Sequence, residues 1–235
     1  MLFRQLFDAE SSTYTYLVAD ESTRQAVLID PVIECVDRDR KLLFELGLDL
    51  VYAMDTHIHA DHVTGAGTLR HETGAKVVSS KRGAPGADLH VGPGDVIRVG
   101  RLAIGVLATP GHTDDSVSYL LEDRVFTGDA LFIRGCGRTD FQNGDPTELY
   151  TSITKVLFAL LDSMLVYPSH DYRGHTVSTI GEEKRWNPRV AGKTEREFVS
   201  VMRALKLPVP KRIQEAVPRN LACGVVESRE TGSVT

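Results

Sequence analysis

The strongest constraint on the fold is a histidine-rich turn that directly follows an apolar segment. The run LDLVYAM (residues 48–54) is short and largely apolar, which predicts a buried β-strand. It leads into DTHIHADHVTG (residues 55–65), where three histidines and an aspartate fall within six consecutive positions. Imidazole and carboxylate groups are common metal ligands, and they rarely crowd together without a shared role. The sequence therefore predicts a metal-binding loop at the end of a strand.

Three later segments repeat the arrangement of an apolar strand followed by a turn with Gly or Pro. TPGHTDDS contributes His112, FTGDALF contributes Asp129, and YPSHDYRG contributes His170. Because all four turns follow strands, we expect them to converge at one edge of a sheet. The candidate ligands of the first turn are His57, His59, Asp61 and His62. The remaining histidines are interpreted as ordinary surface or core residues: His71, His90 and His175.

The order of predicted elements places most strands first and most helices last. An apolar stripe at helical spacing predicts a helix over residues 34–46, ended by Gly47. A short helix through Leu69 and His71 is predicted after the histidine-rich turn. Strands are predicted at LFRQLF, STYTYLVAD, QAVLID, KVVSS, DVIRVG, LAIGVLATP, DSVSYLLE, RVFTGDA and SMLVYPSH. A helix is predicted from Pro146, in the segment PTELYTSITKVLFALL. A charged helical stretch is predicted over residues 181–207. This order predicts an α/β fold in which mixed sheets are layered against helices, rather than a doubly wound parallel sheet.

Composition limits the class of protein. The 235 residues fit one domain, predicted over residues 1–224, with a disordered tail over residues 225–235. The net charge of -5 argues against broad binding to nucleic acid or to an anionic membrane. The three cysteines form no CxxC pair, which favours a reducing compartment. No apolar run reaches the roughly 18 residues of a membrane span, and no signal peptide is apparent, so we expect a cytoplasmic protein.

The pattern H-x-H-x-D-H, followed by a later His, a later Asp and a final His, resembles the metallo-β-lactamase superfamily. The resemblance implies an αββα sandwich: two mixed β-sheets flanked by helices, with metals at one edge. The superfamily hosts several reactions, so the fold alone does not name the chemistry. A hydrolytic member would hold two zinc ions and use a bridging water to attack a thioester or ester. The first zinc would take His57, His59 and His112, the second Asp61, His62 and His170, with Asp129 bridging.

Three further segments resemble the persulfide dioxygenases, or sulfur dioxygenases, of the ethylmalonic-encephalopathy protein family: TGDALFIRGCGRTDFQ, YPSHDYRGHTVSTIGEEKRWNP and AVPRNLACG. The resemblance implies one non-haem Fe(II) per chain, held by His57, His112 and Asp129, with open positions for a substrate sulfur and O₂. The implied reaction converts glutathione persulfide, O₂ and water to sulfite and glutathione, a step of sulfide oxidation. Family members are often dimers, so a homodimer is expected. Four residues then orient the ligands or form a vestigial second metal site: His59, Asp61, His62 and His170.

Substrate residues are predicted from charge and position. A glutathione-like substrate carries two carboxylates, and arginine binds a carboxylate with two parallel hydrogen bonds. Arg138 lies in a Gly-punctuated loop nine residues after Asp129 and matches a family substrate position. Tyr172 and Arg173 follow the final histidine closely and are further candidates.

Two alternatives remain open at this point. A dinuclear zinc hydrolase of glutathione thioesters, of the glyoxalase II type, shares the GCGR motif but usually has a longer C-terminal helical region. A catalytically silent metal-binding or sulfur-carrying module is the second. Cys136 is interpreted as a loop packing residue, and the sequence assigns no role to Cys223.

Overall fold

The computed structural model describes residues 1–225, and two six-stranded mixed β-sheets make up its centre. The first sheet contains, in spatial order, β1 (Leu2–Asp8), β2 (Thr13–Ala19), β3 (Gln25–Ile29), β4 (Asp49–Met54), β5 (Lys76–Ser80) and β6 (Leu89–Val91). The second contains β7 (Val96–Val99), β8 (Leu102–Ala108), β9 (Val117–Leu121), β10 (Arg124–Gly128), β11 (Leu165–Pro168) and β12 (Ser178–Thr179), also in spatial order. Each sheet combines parallel and antiparallel pairs, as the sequence predicted.

Within residues 1–225, six α-helices flank the sheets: α1 (Val36–Leu46), α2 (Ala66–Thr73), α3 (Pro146–Thr151), α4 (Ile180–Trp186), α5 (Glu195–Arg203) and α6 (Ile213–Leu221). Alternate side chains of a strand point to opposite sides of the sheet. Strands with apolar residues on both sides therefore need a layer packed against each face of the sheet. In β2, Tyr16 and Val18 face the second sheet, whereas Leu17 and Ala19 pack with α1 and α2. Helices α3, α4 and α5 cover the far face of the second sheet. The layers are therefore helix, sheet, sheet and helix, which confirms the predicted αββα sandwich.

The helices differ from their predicted extents where local chemistry interrupts them. Helix α1 ends at Gly47, which has a left-handed φ of 58° and donates to the carbonyls of the last turn, as predicted. The segment that starts at Pro146 is α-helical only through Thr151 and then continues as a π-helical turn and a 3₁₀ turn. Residues 181–207 are not one helical stretch, because Asn187 precedes a proline and leaves the helical conformation with ψ at 112°.

Three elements were not predicted. Strands β6 and β12 have three and two residues and give little periodic signal. Helix α6 contains Pro218, whose ring normally argues against a helix interior. The predicted disordered tail lies outside the described residues, except for Val225. Within residues 1–225, no helix is long and apolar enough to cross a lipid bilayer.

The carboxyl ends of several strands lie at one edge of the sandwich and carry the polar turns. Strand β3 is parallel to β4, and β10 is parallel to β11, so each pair ends on the same side. Strand β9 is antiparallel to both β8 and β10, so β8 runs in the same direction as β10 and ends at the same edge. The turns at this edge contain Asp30, the histidine loop (residues 55–65), His112, Asp129 and His170. The turns thus converge as predicted, although they come from two sheets rather than one.

Candidate metal centre

His57, His112 and Asp129 come together at this edge from three different strand ends. Each offers one ligand atom, and these atoms lie within 4.8 Å of one another. The rings of His57 and His112 meet edge to face with centroids 4.9 Å apart. Nε2 of His112 lies 3.5 Å from Oδ2 of Asp129. The structure therefore brings the three predicted iron ligands into one cluster.

Hydrogen bonds fix the tautomers of the two histidines. Nδ1 of His112 lies 2.7 Å from the carbonyl oxygen of Arg138, so this nitrogen carries the proton and donates. Nδ1 of His57 lies 3.0 Å from the hydroxyl of Thr56, which itself donates to Asp30. The hydroxyl therefore accepts from the His57 ring. Both rings keep their proton on Nδ1 and leave Nε2 with a free electron pair, as metal-ligating histidines usually do.

Burial and neighbouring charge set the protonation of the cluster. Burial lowers the pKa of His57 well below its usual value, and the positive charge of His59 lowers it further. Burial alone would raise the pKa of Asp129, but the charge and hydrogen bond of His170 hold it well below its usual value. A neutral imidazole and an ionised carboxylate are the forms that a divalent cation requires. The donor set of these residues therefore fits a metal ion.

His170 lies between two carboxylates. Its Nδ1 is 2.9 Å from Oδ1 of Asp129, and its Nε2 is 2.8 Å from Oδ2 of Asp61. Burial would lower the pKa of His170, but Asp129 and then Asp61 raise it to about 9. In this arrangement both ring nitrogens donate. His170 therefore fixes the orientation of Asp129 and has no free electron pair for a metal.

The other three candidate ligands of the histidine loop form a second group, in which the ligand atoms of His59, Asp61 and His62 again lie within 4.8 Å of one another. His59 Nε2 lies 3.2 Å from Asp30, whose charge raises the pKa of His59 to about 10 against the effect of burial. Oδ2 of Asp61 lies 3.0 Å from His62 Nδ1 and also accepts from His170. Within residues 1–225, His59 Nδ1 and His62 Nε2 are buried without a hydrogen-bond partner. In this second group, one nitrogen of each histidine thus lies at hydrogen-bond distance from a carboxylate, and the other nitrogen has no partner within residues 1–225.

A third potential ligand group, Asp30, Asp55 and His59, is buried at the base of the histidine loop. Asp30 accepts hydrogen bonds from the backbone and hydroxyl of Thr56, from His59 and from the hydroxyl of Ser169. Asp55 accepts from the Thr64 hydroxyl, and burial raises its pKa to about 7. These contacts make the group a support for the loop.

The residues that support the loop carry no motif of their own. Besides Asp30, Asp115 accepts from the backbone N–H of Ile58 at 2.8 Å, and Gln142 donates to the carbonyl of Ile58 at 2.7 Å. Asp30 does follow the apolar strand β3 and precedes Pro31, the same pattern that marks the other polar turns. That pattern is the signal that could identify it from sequence.

A cavity of about 520 Å³ opens onto the cluster. His112, Asp129 and His170 lie in its wall, and an apolar part is contributed by Phe132, Ile133, Leu207, Pro208 and Pro210. The ring of Tyr172 stacks on His170 with centroids 6.0 Å apart, and Arg173 also lines the cavity. Volumes of this size accommodate small organic ligands. The predicted substrate residues Tyr172 and Arg173 therefore lie beside the predicted ligands.

Arg138, the other predicted substrate residue, lines the cavity but is engaged within the protein. Its guanidinium forms two hydrogen bonds with Asp140, at 2.6 and 2.8 Å, and stacks on Phe141. It also donates to the carbonyl of Pro208 at 2.6 Å. Arg138 therefore fastens the loop after α5 over the cavity, and binding of a substrate carboxylate by Arg138 stays a prediction.

Comparison with known proteins agrees with this fold. Residues 9–87 and 79–170 match the family model of the metallo-beta-lactamase superfamily. The mitochondrial persulfide dioxygenase ETHE1 of Mus musculus is 52% identical over 228 residues, which cover 96% of this chain and 89% of the relative. The crystal structure of ETHE1 from Myxococcus xanthus has 64% identity and a TM-score of 0.95, covering 96% of this chain and 100% of that one. The chain belongs to the persulfide dioxygenase family of the metallo-β-lactamase superfamily.

The family assignment ranks the hydrolase alternative lower. A hydroxyacylglutathione hydrolase of Nitrobacter hamburgensis is 34% identical over 229 residues, covering 92% of this chain and 85% of the relative. This identity is well below that to the persulfide dioxygenases. In this family member Cys136 is buried, and burial raises the pKa of its thiol to about 11, in agreement with a packing role.

Gly137, in the GCGR motif of this family member, lies directly against two predicted ligands. A Cβ atom at this position would be 2.4 Å from the carbonyl oxygen of Asp129 and 2.7 Å from Nδ1 of His112. We expect Gly137→Ala to displace both ligands and to weaken metal binding by roughly 10-fold or more. Metal titration of the folded variant measures this effect. Gly105→Ala is the control, since its Cβ would meet nothing nearer than 3.8 Å; equal affinities of the two variants would contradict the expectation.

Proposed function

We propose that this protein is a persulfide dioxygenase that converts glutathione persulfide, O₂ and water to sulfite and glutathione at one non-haem Fe(II) per chain. The observation that carries the proposal is that the candidate ligands divide into a set that is free to bind one metal and residues that are engaged in hydrogen bonds. His57, His112 and Asp129 form one set with free electron pairs beside a cavity. His170, which a second metal would need, donates from both nitrogens to Asp129 and Asp61. The identity to named persulfide dioxygenases supports the same reaction.

The donor set suits oxygen chemistry. Two histidines and one carboxylate are the ligands of many non-haem Fe(II) oxygenases and leave coordination positions for substrate and O₂. When bound, iron supplies redox chemistry with O₂ that zinc, with its filled d shell, does not supply. The overall reaction balances as GSSH + O₂ + H₂O giving GSH + SO₃²⁻ + 2 H⁺. The outer sulfur loses four electrons, O₂ gains them, and the S–S bond breaks.

In this proposal, the residues of the chain orient the ligand Asp129 and bind the substrate. His170 holds Oδ1 of Asp129, so Oδ2 points to His112 and the carboxylate presents one fixed oxygen. The apolar part of the cavity wall offers a nonpolar surface for the substrate beside the ligands. Arg173 offers a positive charge for a glutathione carboxylate, and Tyr172 offers a flat surface beside His170. These residues place the persulfide sulfur next to the three ligands.

Metal analysis with oxygen uptake tests the proposal. Anaerobically purified protein is expected to contain about one iron per chain. It should consume one O₂ for each glutathione persulfide and release sulfite. Chelation should remove this activity, and Fe(II), but not Zn(II), should restore it. Zinc at about two per chain, without oxygen consumption, would overturn the proposal.

One observation favours a second candidate, a dinuclear zinc hydrolase of glutathione thioesters. His59 Nδ1 and His62 Nε2 are buried close to Asp61 and lack a partner within residues 1–225. A second metal would bind these nitrogens after displacing the proton of His59, whose pKa is raised to about 10. Hydrolysis of a hydroxyacylglutathione by the zinc-loaded protein, measured beside oxygen uptake by the iron-loaded protein, decides between the two. Absence of both activities would favour the silent binding module.

The location of the protein in the cell and its oligomeric state remain proposals. The composition favours a cytoplasmic protein, whereas the name of the mouse relative places that protein in mitochondria. A homodimer is expected from the family resemblance.

A further inference from the structure

Helix α6 brings a buried asparagine under the histidine loop. The side chain of Asn220 is almost fully buried. Its Nδ2 donates to the carbonyl oxygens of His59 and His62, both at 2.9 Å. Its Oδ1 accepts from the backbone N–H of Thr64 at 2.8 Å. One side chain thus binds three backbone groups of the loop, and within residues 1–225 no other group donates to these two carbonyls.

The turn after α6 fits closely against the same region. The backbone N–H of Gly67, at the start of α2, donates to the carbonyl of Cys223 at 2.8 Å. A Cβ at Gly224 would lie 2.0 Å from the carbonyl oxygen of Thr64, and Gly224 has a left-handed φ of 80°. Cys223 is fully buried in this contact. The end of α6 therefore has one fixed position relative to the loop.

The histidine loop is held at both ends by buried side chains. At its beginning, Asp30 accepts from the backbone and hydroxyl of Thr56, next to His57. At its end, Thr64 donates from its hydroxyl to Asp55 and from its backbone to Asn220. Between these points the carbonyls of His59 and His62 depend on Asn220. If Asn220 is lost, three buried polar groups need new partners, and the loop must move to reach water.

We propose that Asn220 is a positioning residue of the metal centre, which holds the histidine loop so that His57 stays in place for the metal. This role rests on the proposed metal centre of His57, His112 and Asp129. Asn220 does not touch these residues and acts through the backbone of the loop. It also lies beyond residue 170, where the match to the superfamily model ends. The metal centre is therefore completed by a helix outside the matched segment.

Cobalt binding to Asn220→Ala tests this role, since the visible spectrum of Co(II) reports its coordination. We expect the folded variant to bind Co(II) roughly 10-fold or more weakly than the unaltered protein, with a changed spectrum. The matched control is Ala216→Gly, at a buried position of the same helix whose side chain makes no hydrogen bond to the loop. It should lower the melting temperature, because glycine weakens a helix, and leave the Co(II) affinity and spectrum unchanged.

Hydrogen exchange of the metal-free proteins gives a second measurement. Exchange of residues 57–64 should accelerate in Asn220→Ala and not in Ala216→Gly. If Asn220→Ala does not fold, Asn220→Asp replaces it; it keeps the acceptor for Thr64 and loses both donations, so the same changes are expected. Unchanged Co(II) affinity and unchanged exchange would overturn the role of Asn220. Failure of the unaltered protein to bind Co(II) would contradict the metal centre instead, and exchange alone would then decide whether Asn220 holds the loop.

Discussion

Replacing Asp129 by alanine is expected to remove most of the bound metal and to abolish oxygen-dependent turnover of glutathione persulfide. Asp129 supplies the carboxylate of the proposed ligand set, and two imidazoles alone bind a divalent cation far less tightly. The change also leaves the buried, charged His170 without its partner at 2.9 Å. Replacing a residue that only hydrogen-bonds to a metal ligand typically lowers metal affinity or activity by about 10–100-fold. Loss of a ligand itself should therefore lower turnover by more than about 100-fold. Iron content per chain and oxygen uptake measure the two effects.

A carboxylate at the other end of the same strand serves as the control for Asp129. Asp123 is exposed, precedes β10 and pairs with the neighbouring Arg124. Asp123→Ala should keep both iron and turnover. Normal turnover in Asp129→Ala would remove Asp129 from the ligand set and would contradict the proposed centre.

Replacing Asp30 by alanine is expected to cause the largest loss of stability in this part of the molecule. Asp30 is 1% exposed and accepts hydrogen bonds from Thr56, His59 and Ser169. Burial opposes its ionisation, but the charge of His59 holds its pKa at about 2. Removing one partner of a buried ion pair leaves the other uncompensated, which typically costs about 3–5 kcal/mol. Urea denaturation of the metal-free protein at neutral pH measures this free energy of unfolding.

An exposed aspartate with similar hydrogen bonds separates burial from hydrogen bonding. Asp145 begins α3 and accepts from the backbone N–H groups of Thr147 and Glu148. Loss of such a helix cap costs about 1 kcal/mol. If Asp30→Ala were no more destabilising than Asp145→Ala, the pair of Asp30 and His59 would not be a main support of the loop.

The sequence predicts the positions of the candidate ligands because strand order and ligand chemistry are local signals. His112 and Asp129 are recognised since each follows an apolar strand and stands in a Gly-containing turn. The layers follow from strands with apolar residues on both faces, such as β2. Residue type and periodicity carry both of these features.

The roles of individual nitrogens and carboxylates depend on distances between remote residues, which sequence patterns do not contain. His170 has the appearance of a metal ligand in the sequence, yet in the structure both of its nitrogens donate to Asp129 and Asp61. Asn220 lies in a segment that carries a proline, so neither its helix nor its contact with the histidine loop could be predicted. Arg138 similarly pairs with Asp140, which depends on the conformation of one exposed loop.

The proposed ligands come from both halves of the sandwich. His57 follows β4 of the first sheet, whereas His112 and Asp129 follow β8 and β10 of the second. A single ion bound to all three would act as a cross-link between two layers that also meet through apolar side chains and through hydrogen bonds such as that from Ser169 to Asp30. An ion that binds only the assembled layers adds its binding free energy to the free energy of unfolding. If the proposed centre binds an ion in this way, the separation of the sheets and the occupancy of the centre are thermodynamically coupled, and a change that spreads the layers also releases the ion.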